Sequence, residues 1–490
     1  MNVALAIILV FLLLAIYLGI RARRGKDMDL EQWAVGGRGF GTIFVFLLLA
    51  GEIYTTFTFL GGSGWAYGEG GPAFYILSYG SLAYVISYWL LPAIWRYGRE
   101  KRLHSQADFF ASKYESRSLG VLVSIVAVVA MVPSYLVLQL KGLGLIVSVA
   151  SYGAISSNVA ITIGAAAVTL YVMISGIRGS AWTAVIKDIM VLSVAVFLGI
   201  YFPLKLYGGM GEMFHRIQQH DPGFLALPHT GYNVVWFVST VLLTALGFYM
   251  WPHTFGSIFS AREARVFRRN AVYLPLYQLI LLFVFLVGFA AILAVPGLKG
   301  DQVDLALLRL SKSSFDPWLV GLIGAAGLLT ALVPGSMLLM TSATILSKNV
   351  YRAFVPSASE ERVNRLAKAL VPVVALVAWY FTINSGKTIV ILLLLGYSFV
   401  TQLFPSLISS LLPNNFVNKW GAAAGIIVGV AIVTYATVGG LGTGDLLPFL
   451  PPALADINNG VVALVANAIV TVGVSLATRP FVARSSAPTT

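Results

Sequence analysis

Apolar runs long enough to carry a helix across a bilayer, about 20 residues at roughly 1.5 Å each, recur thirteen times along this chain. They cover 2–20, 42–67, 73–95, 121–148, 158–175, 181–203, 233–256, 271–296, 318–346, 366–384, 388–412, 421–439 and 459–478, numbered below as segments 1 to 13. In lipid a helix satisfies its backbone N–H and C=O groups internally, so the pattern predicts an all-α integral membrane protein. Composition closes off the soluble alternative. Of 490 residues, 58% are hydrophobic and only 10% charged, where a soluble domain carries about 25%. There is no cysteine, which removes disulfides and thiolate metal sites. The five histidines are scattered and suggest no metal centre, and no organic cofactor is expected.

Charge sets the expected orientation. Segment 1 has no basic residue before it and no small-residue cleavage site, and Arg21, Arg23 and Arg24 follow it directly. It reads as a retained helix rather than a signal peptide. With the N-terminus outside, 24 Lys and Arg residues fall in inner loops and six in outer ones. That bias fits the positive-inside rule and puts the C-terminus in the cytoplasm. It also accounts for the net charge of +13 without a nucleic-acid partner. The expected location is the cytoplasmic membrane, with the lipid bilayer as partner.

The connecting loops are too short for a soluble domain, and twelve residues follow Thr478. Neither a fused kinase nor a receptor domain is expected. No G-x-x-x-x-G-K-[ST] run occurs, so ATP has no engine here. An intramembrane enzyme would need a nucleophile or metal set, and neither H-E-x-x-H nor G-x-S-x-G is present. The chain reads as a non-enzymatic polytopic domain over 1–490.

Ionisable residues at bilayer depth are costly and point to function. Glu52 lies inside segment 2 with no countercharge near it in sequence. Lys187 and Asp188 open segment 6, and Lys141 closes a Gln139-Leu140-Lys141 run in segment 4. An interfacial lysine snorkelling to water is the plain alternative for Lys141 and Lys187. His253, beside Pro252, reads as a hydrogen-bonded histidine or a proton carrier. Gly and Pro mark places where helices can open. Gly61-Gly62-Ser63-Gly64 is expected to interrupt segment 2, and Gly247 to Pro252 segment 7. Pro334-Gly335 is expected to break segment 9, and Gly396 with Pro405 to punctuate segment 11. Segments 2 and 7 lie five apart, as an inverted repeat of five helices requires, and paired breaks point to a transporter's binding site.

Several stretches, taken in order, resemble the sodium:solute symporter family. Gly36-Gly37-Arg38 through Gly41 stands before segment 2, followed by Phe57-Thr58-Phe59-Leu60-Gly61 and Gly64-Trp65-Ala66-Tyr67. Ser175-Gly176-Ile177-Arg178 precedes Ala181-Trp182-Thr183, and Gly421, Gly425 and Gly429 recur at four-residue spacing. Each motif is weak alone; the ordered set over roughly 1–430 is specific. The resemblance implies a leucine-transporter-type core of two inverted repeats, segments 2–6 (40–203) and 7–11 (233–412). Residues 1–30 and segments 12 and 13 (421–478) are then peripheral, and 479–490 a cytoplasmic tail.

The resemblance also implies import driven by a cation gradient. It places the family's sodium ligands at the carbonyls of Ala50 and Ile53, with Glu52 where some members have Asp. In segment 9 it implies a carbonyl at Thr330 and hydroxyls at positions held here by Val333 and Pro334. The family's segment 6 Asp falls at Ala184, one helical turn before Lys187. A weak sodium site at Ala50, Ile53 and Thr330 is one outcome. The other is that the Lys187 ammonium fills the ion's place and deprotonation empties it. These departures look most like the monocarboxylate-permease branch, whose members carry pyruvate, lactate and related acids.

The expected function is therefore a symporter importing a small organic acid, coupled to protons in preference to sodium. A sodium-coupled amino-acid symporter is the alternative, and a membrane sensor the more distant one. Thr55, Thr56, Gln139, Tyr249, Trp251 and Gln402 are the expected substrate lining, near the midplane between segments 2, 4, 7 and 11. Thr and Gln can donate to a carboxylate, and aromatics can cover a short apolar tail.

Overall fold

The computed structural model describes residues 2–23, 36–51 and 53–485. Among them the secondary structure is helical, with a single isolated bridge between Phe40 and Ala261. Eleven helices are long and apolar enough to cross a membrane, and a bent pair in segment 7 makes a twelfth. In segment 2 the helix Thr42–Gly51 is short by itself and is continued after an opening by Phe57–Gly62 and Ser63–Glu69. Every apolar run thus corresponds to helix.

Segments 5 and 6 are one helical stretch, Ser157–Tyr207, where two runs were expected. It is not straight. The Tyr171 hydroxyl lies 2.8 Å from Thr183 Oγ1, yet twelve residues of straight helix would separate them by about 18 Å. The chain therefore bends between these residues, and each of the stretches 157–174 and 182–207 is long and apolar enough to cross a membrane.

Breaks fall where backbone bonding changes, not always where glycine predicts. Segment 2 opens after Gly51 and resumes helix at Phe57; Gly61 to Gly64 lie within helix. The glycines serve close packing instead. A Cβ on Gly64 would stand 2.7 Å from the Val303 carbonyl oxygen, so only glycine admits that backbone. Segment 9 runs unbroken through Pro334 from Pro317 to Ile345, a correction to the expected break. Proline leaves the Thr330 carbonyl without its helical N–H partner; nearby, the Thr330 hydroxyl donates to Gly327 O and the Ser336 hydroxyl to Val333 O, both at 2.6 Å. Segment 4 carries an unforeseen wide turn, Met131–Leu136, around Pro133. Segment 7 bends by 55° between Val234–Met250 and Pro252–Ile258. Trp251 at the corner is extended (φ −64°, ψ 126°).

Segment 9 sits at the centre, buried along nearly all its length. Segments 1, 4, 5, 6 and 10 pack around it, while segments 12 and 13 form a pair alongside segment 11.

Candidate functional site

The opening in segment 2 is built from its own short-range bonds. Ala50 O accepts from Ile53 N (3.2 Å) and Tyr54 N (3.0 Å), and Ile53 O accepts from Thr55 N (3.0 Å) and Thr58 Oγ1 (2.8 Å). Thr55 Oγ1 accepts from Phe57 N at 3.0 Å, so it caps the resumed helix. Glu52 lies outside the described residues. Thr56 points away from its own helix: its hydroxyl donates to Gln139 Oε1 on segment 4 at 2.7 Å. Gln139 is fully buried, and its Nε2 has no hydrogen-bond partner among the described residues. Amide oxygen and nitrogen are assigned from bonding; with either assignment one polar atom of this amide is left over, which is costly in a dry interior.

Segment 4 joins this opening to the one in segment 7. Tyr135 is four residues before Gln139, one turn away on the same face and about 6 Å along the helix. Its ring packs on Trp251 (centroids 4.8 Å) and on His253 (5.2 Å). Trp251 also meets Tyr397 of segment 11 edge-on at 5.3 Å. The two openings are thus bridged by one helical turn, Tyr135 to Gln139, with an amide at one end and an aromatic cluster at the other. A small cavity of ≈ 20 Å³ is lined by Pro252, His253, His104, Ser257 and Met340 among others.

Of the other expected lining residues, Tyr249 is buried with its ring against Phe248 (4.9 Å). Gln402 is turned to the C-terminal helix. It donates to Ser398 O (3.0 Å) and Gly460 O (3.2 Å), and its carbonyls accept from Asn467 Nδ2. Gly429 allows that approach, since a Cβ there would collide with the Gln402 side chain. Tyr135 and Tyr397 were not foreseen as part of the cluster. Tyr135 could have been found from its one-turn spacing to Gln139; Tyr397 had no sequence signal.

Lys187 is wholly buried and is not at an interface. Its Nζ donates to Tyr54 O at 3.2 Å and lies 2.9 Å from Asp188 Oδ1. A Cβ on Gly51 would stand 3.3 Å from that nitrogen, so the ammonium lies directly against the segment 2 opening. Among the described residues the Tyr277 hydroxyl of segment 8 and the Asp188 carboxylate oxygens make no hydrogen bond. Tyr54 in turn donates to Tyr277 O at 2.6 Å, the two rings 4.6 Å apart. Thr330, Val333 and Pro334 are buried in segment 9. Two turns on from Thr330, Ser336 shares a 2.7 Å bond with Ser180 of segment 6.

Two further charged clusters flank the bundle. Lys141 Nζ lies 3.3 Å from Asp304, 3.4 Å from Asp301 and 2.7 Å from Lys387 O. Asp304 accepts from Ile389 N at the start of segment 11 (3.0 Å). Burial pushes its carboxyl up to about 6, against the pull of Lys141. At the other cluster Lys348 donates to Asp108 (2.7 Å) and meets His104 Nδ1 (2.9 Å), beside a cavity of ≈ 850 Å³. Burial works to raise the Asp108 carboxyl, but Lys348, the His104 N–H and Asn349 outweigh it and hold it at about 2.

Comparison with known proteins agrees with this architecture. The sequence profile of the sodium:solute symporter family matches residues 33–429. The "Uncharacterized symporter YhjB" of Bacillus subtilis (strain 168) is 63% identical over 98% of both chains. A "Monocarboxylate transport permease protein" of Rhizobium johnstonii is 28% identical, covering 87% of this chain and 86% of its own. A solved structure of a Na+-coupled sialic acid symporter, substrate-bound and outward-open, shares the fold with a TM-score of 0.77 at 17% identity over 97% of each chain. The chain belongs to the sodium:solute symporter family and is a multi-pass, cation-coupled solute symporter of the leucine-transporter fold.

Proposed function

We propose that this symporter imports a small monocarboxylate, such as pyruvate or lactate, together with protons rather than sodium. The observation that carries the reading is the Lys187 ammonium, fully buried and 3.2 Å from Tyr54 O at the segment 2 opening. A cation built into the protein there competes with a free sodium ion for the same carbonyl region and repels it. Charging and discharging that one group would then do the work of ion binding and release. Sodium also needs oxygen donors, and Val333 and Pro334 contribute no side-chain oxygen.

The substrate reading rests on the bridge between the openings. Thr56 and the spare amide atom of Gln139 would bind the carboxylate, and Trp251, with Tyr249 nearby in sequence, would cover the short apolar tail. The relative named as a monocarboxylate permease supports that class. The thirteen segments would span with the N-terminus out and C-terminus in, as the 24-to-six distribution of basic residues favours.

The deciding experiment is uptake of labelled pyruvate or lactate into proteoliposomes. Accumulation is expected under a pH gradient without sodium; accumulation only under a sodium gradient at fixed pH would overturn the reading. In counterflow, Thr56→Val is expected to raise KM about tenfold, the loss of one hydrogen bond to a charged group, with Vmax little changed. An unchanged KM removes Thr56 from the site.

A further inference from the structure

The proposed role of Lys187 leaves open what holds its ammonium at the segment 2 opening, and a second residue answers that. We infer that Asp188 is a positioning residue for the coupling site: its carboxylate fixes the Lys187 ammonium against Tyr54 O. This inference rests on the reading of Lys187 given above and extends it.

The geometry is unusual for neighbours in a helix. Side chains at i and i+1 diverge by about 100° and do not normally face each other. Here the Lys187 ammonium nevertheless comes within 2.9 Å of Asp188 Oδ1, while also reaching Tyr54 O. Lys187 is bent between its own helix and the opening of segment 2, and Asp188 is the anchor on the helix side. Asp188 is itself buried. Tyr54 is held in turn by the bond of its hydroxyl to Tyr277 O on segment 8. The contacts run from Tyr54 O to Lys187 and from Lys187 to Asp188, so they tie segments 2 and 6 at the point where segment 2 opens.

The charged and titratable groups facing the ammonium are few. Asp188 comes from its own helix, Tyr54 from segment 2 and Tyr277 from segment 8. Segment 9 carries no ionisable side chain from Pro317 to Ile345. Glu52 follows Gly51 in sequence and lies outside the described residues. Within that set Asp188 is the countercharge. Deleting it leaves the ammonium without a carboxylate among the described residues, and an unpaired buried charge is strongly disfavoured.

The test measures pH-gradient-driven uptake of pyruvate in proteoliposomes from pH 5 to 9, for Asp188→Asn, Asp188→Glu and Lys187→Met with and without Asp188→Asn. Asp188→Asn is expected to move the alkaline limb of the profile down by about one pH unit or more. Asp188→Glu should restore part of that shift. In the Lys187→Met background, where gradient-driven uptake is lost, the pH profile of counterflow exchange is the readout, and Asp188→Asn should leave it unchanged, because the two act as one unit. Counterflow exchange, read in the same vesicles, shows that each variant is folded. A wild-type profile in Asp188→Asn, or an equal effect of Asp188→Asn with and without Lys187, overturns the inference. Should Asp188→Asn fail to give exchange-competent protein, Asp188→Glu decides alone: a profile identical to wild type overturns it, a shift with exchange intact supports it. Failure of the underlying reading looks different: wild-type uptake would follow sodium, or Lys187→Met would keep full pH-driven accumulation.

Discussion

Two buried lysines, Lys141 and Lys187, face the same problem and solve it differently. Lys141 meets two carboxylates and a carbonyl, all from other parts of the chain: Asp301 and Asp304 before segment 9, and Lys387 before segment 11. Among the described residues Lys187 has one carboxylate, supplied by its own neighbour, and one carbonyl in an opened helix. The first arrangement ties segment 4 to the stretches before segments 9 and 11 with surplus countercharge. The second ties its charge to another segment through the Tyr54 carbonyl. Under the proposed coupling role, a charge that changes state during transport has few bonds to break, whereas a charge that holds elements together has many. The number and origin of these partners, not burial, separate the two.

The comparison can be broken most severely at Lys187. Lys187→Met is expected to abolish pH-driven accumulation in proteoliposomes to the level of empty vesicles while exchange persists. If accumulation survives, Lys187 is another staple and the contrast disappears.

Next in size is the stability of the Lys141 cluster. Removing one partner of a buried pair costs about 3–5 kcal/mol, so Asp304→Ala should lower the thermal unfolding temperature in detergent markedly. Asp188→Ala, with Lys187 intact, should lower it more, since Lys141 keeps Asp301 whereas the Lys187 ammonium keeps no carboxylate among the described residues. Equal losses would erase the distinction.

A smaller effect lies in the pH dependence of that stability. The Asp304 carboxyl is raised to about 6 from near 3.8 when exposed, so the folded protein holds this proton more tightly. By linkage its contribution to stability is fully present below about pH 4 and lost as pH rises through about 6. Melting temperatures between pH 4 and 7 should show that loss in the wild type and not in Asp304→Asn.

The smallest change is expected at Asp108, whose carboxyl is held at about 2. A depressed carboxylate contributes stability above its exposed value, lost only as pH falls through about 2. Asp108→Asn should therefore lower the melting temperature by a constant amount across pH 5 to 9. A slope in that window would show that the Lys348 cluster titrates as the Asp304 cluster does.

Much of this was legible in the residues. The apolar runs correspond to helices because bilayer thickness imposes their length. The bend at Trp251-Pro252 follows from a proline that cannot continue the preceding hydrogen bonds. The opening in segment 2 was misplaced by about two turns, onto Gly61 to Gly64 instead of the residues after Gly51. Glycine signals either an opening or close packing, and the chain alone does not say which. At Gly64 the answer is the Val303 backbone, which belongs to a turn far along the sequence. Pro334 is a second case: it lies inside a continuous helix, Pro317–Ile345, that is packed on nearly all sides, and the residue alone does not tell a break from a tolerated proline.

The sequence by itself determined that this is a helical membrane protein with openings in segments 2 and 7 and an ammonium in segment 6. Each follows from hydropathy, from backbone chemistry or from residue type. Only the tertiary structure decided where the polar groups point. In a soluble helix the apolar stripe names the buried face. In lipid both faces are apolar, so periodicity carries little orientation and packing between segments sets the rotation of each helix. That packing turns Gln139 to Thr56, Gln402 to Asn467 and Lys187 to Tyr54.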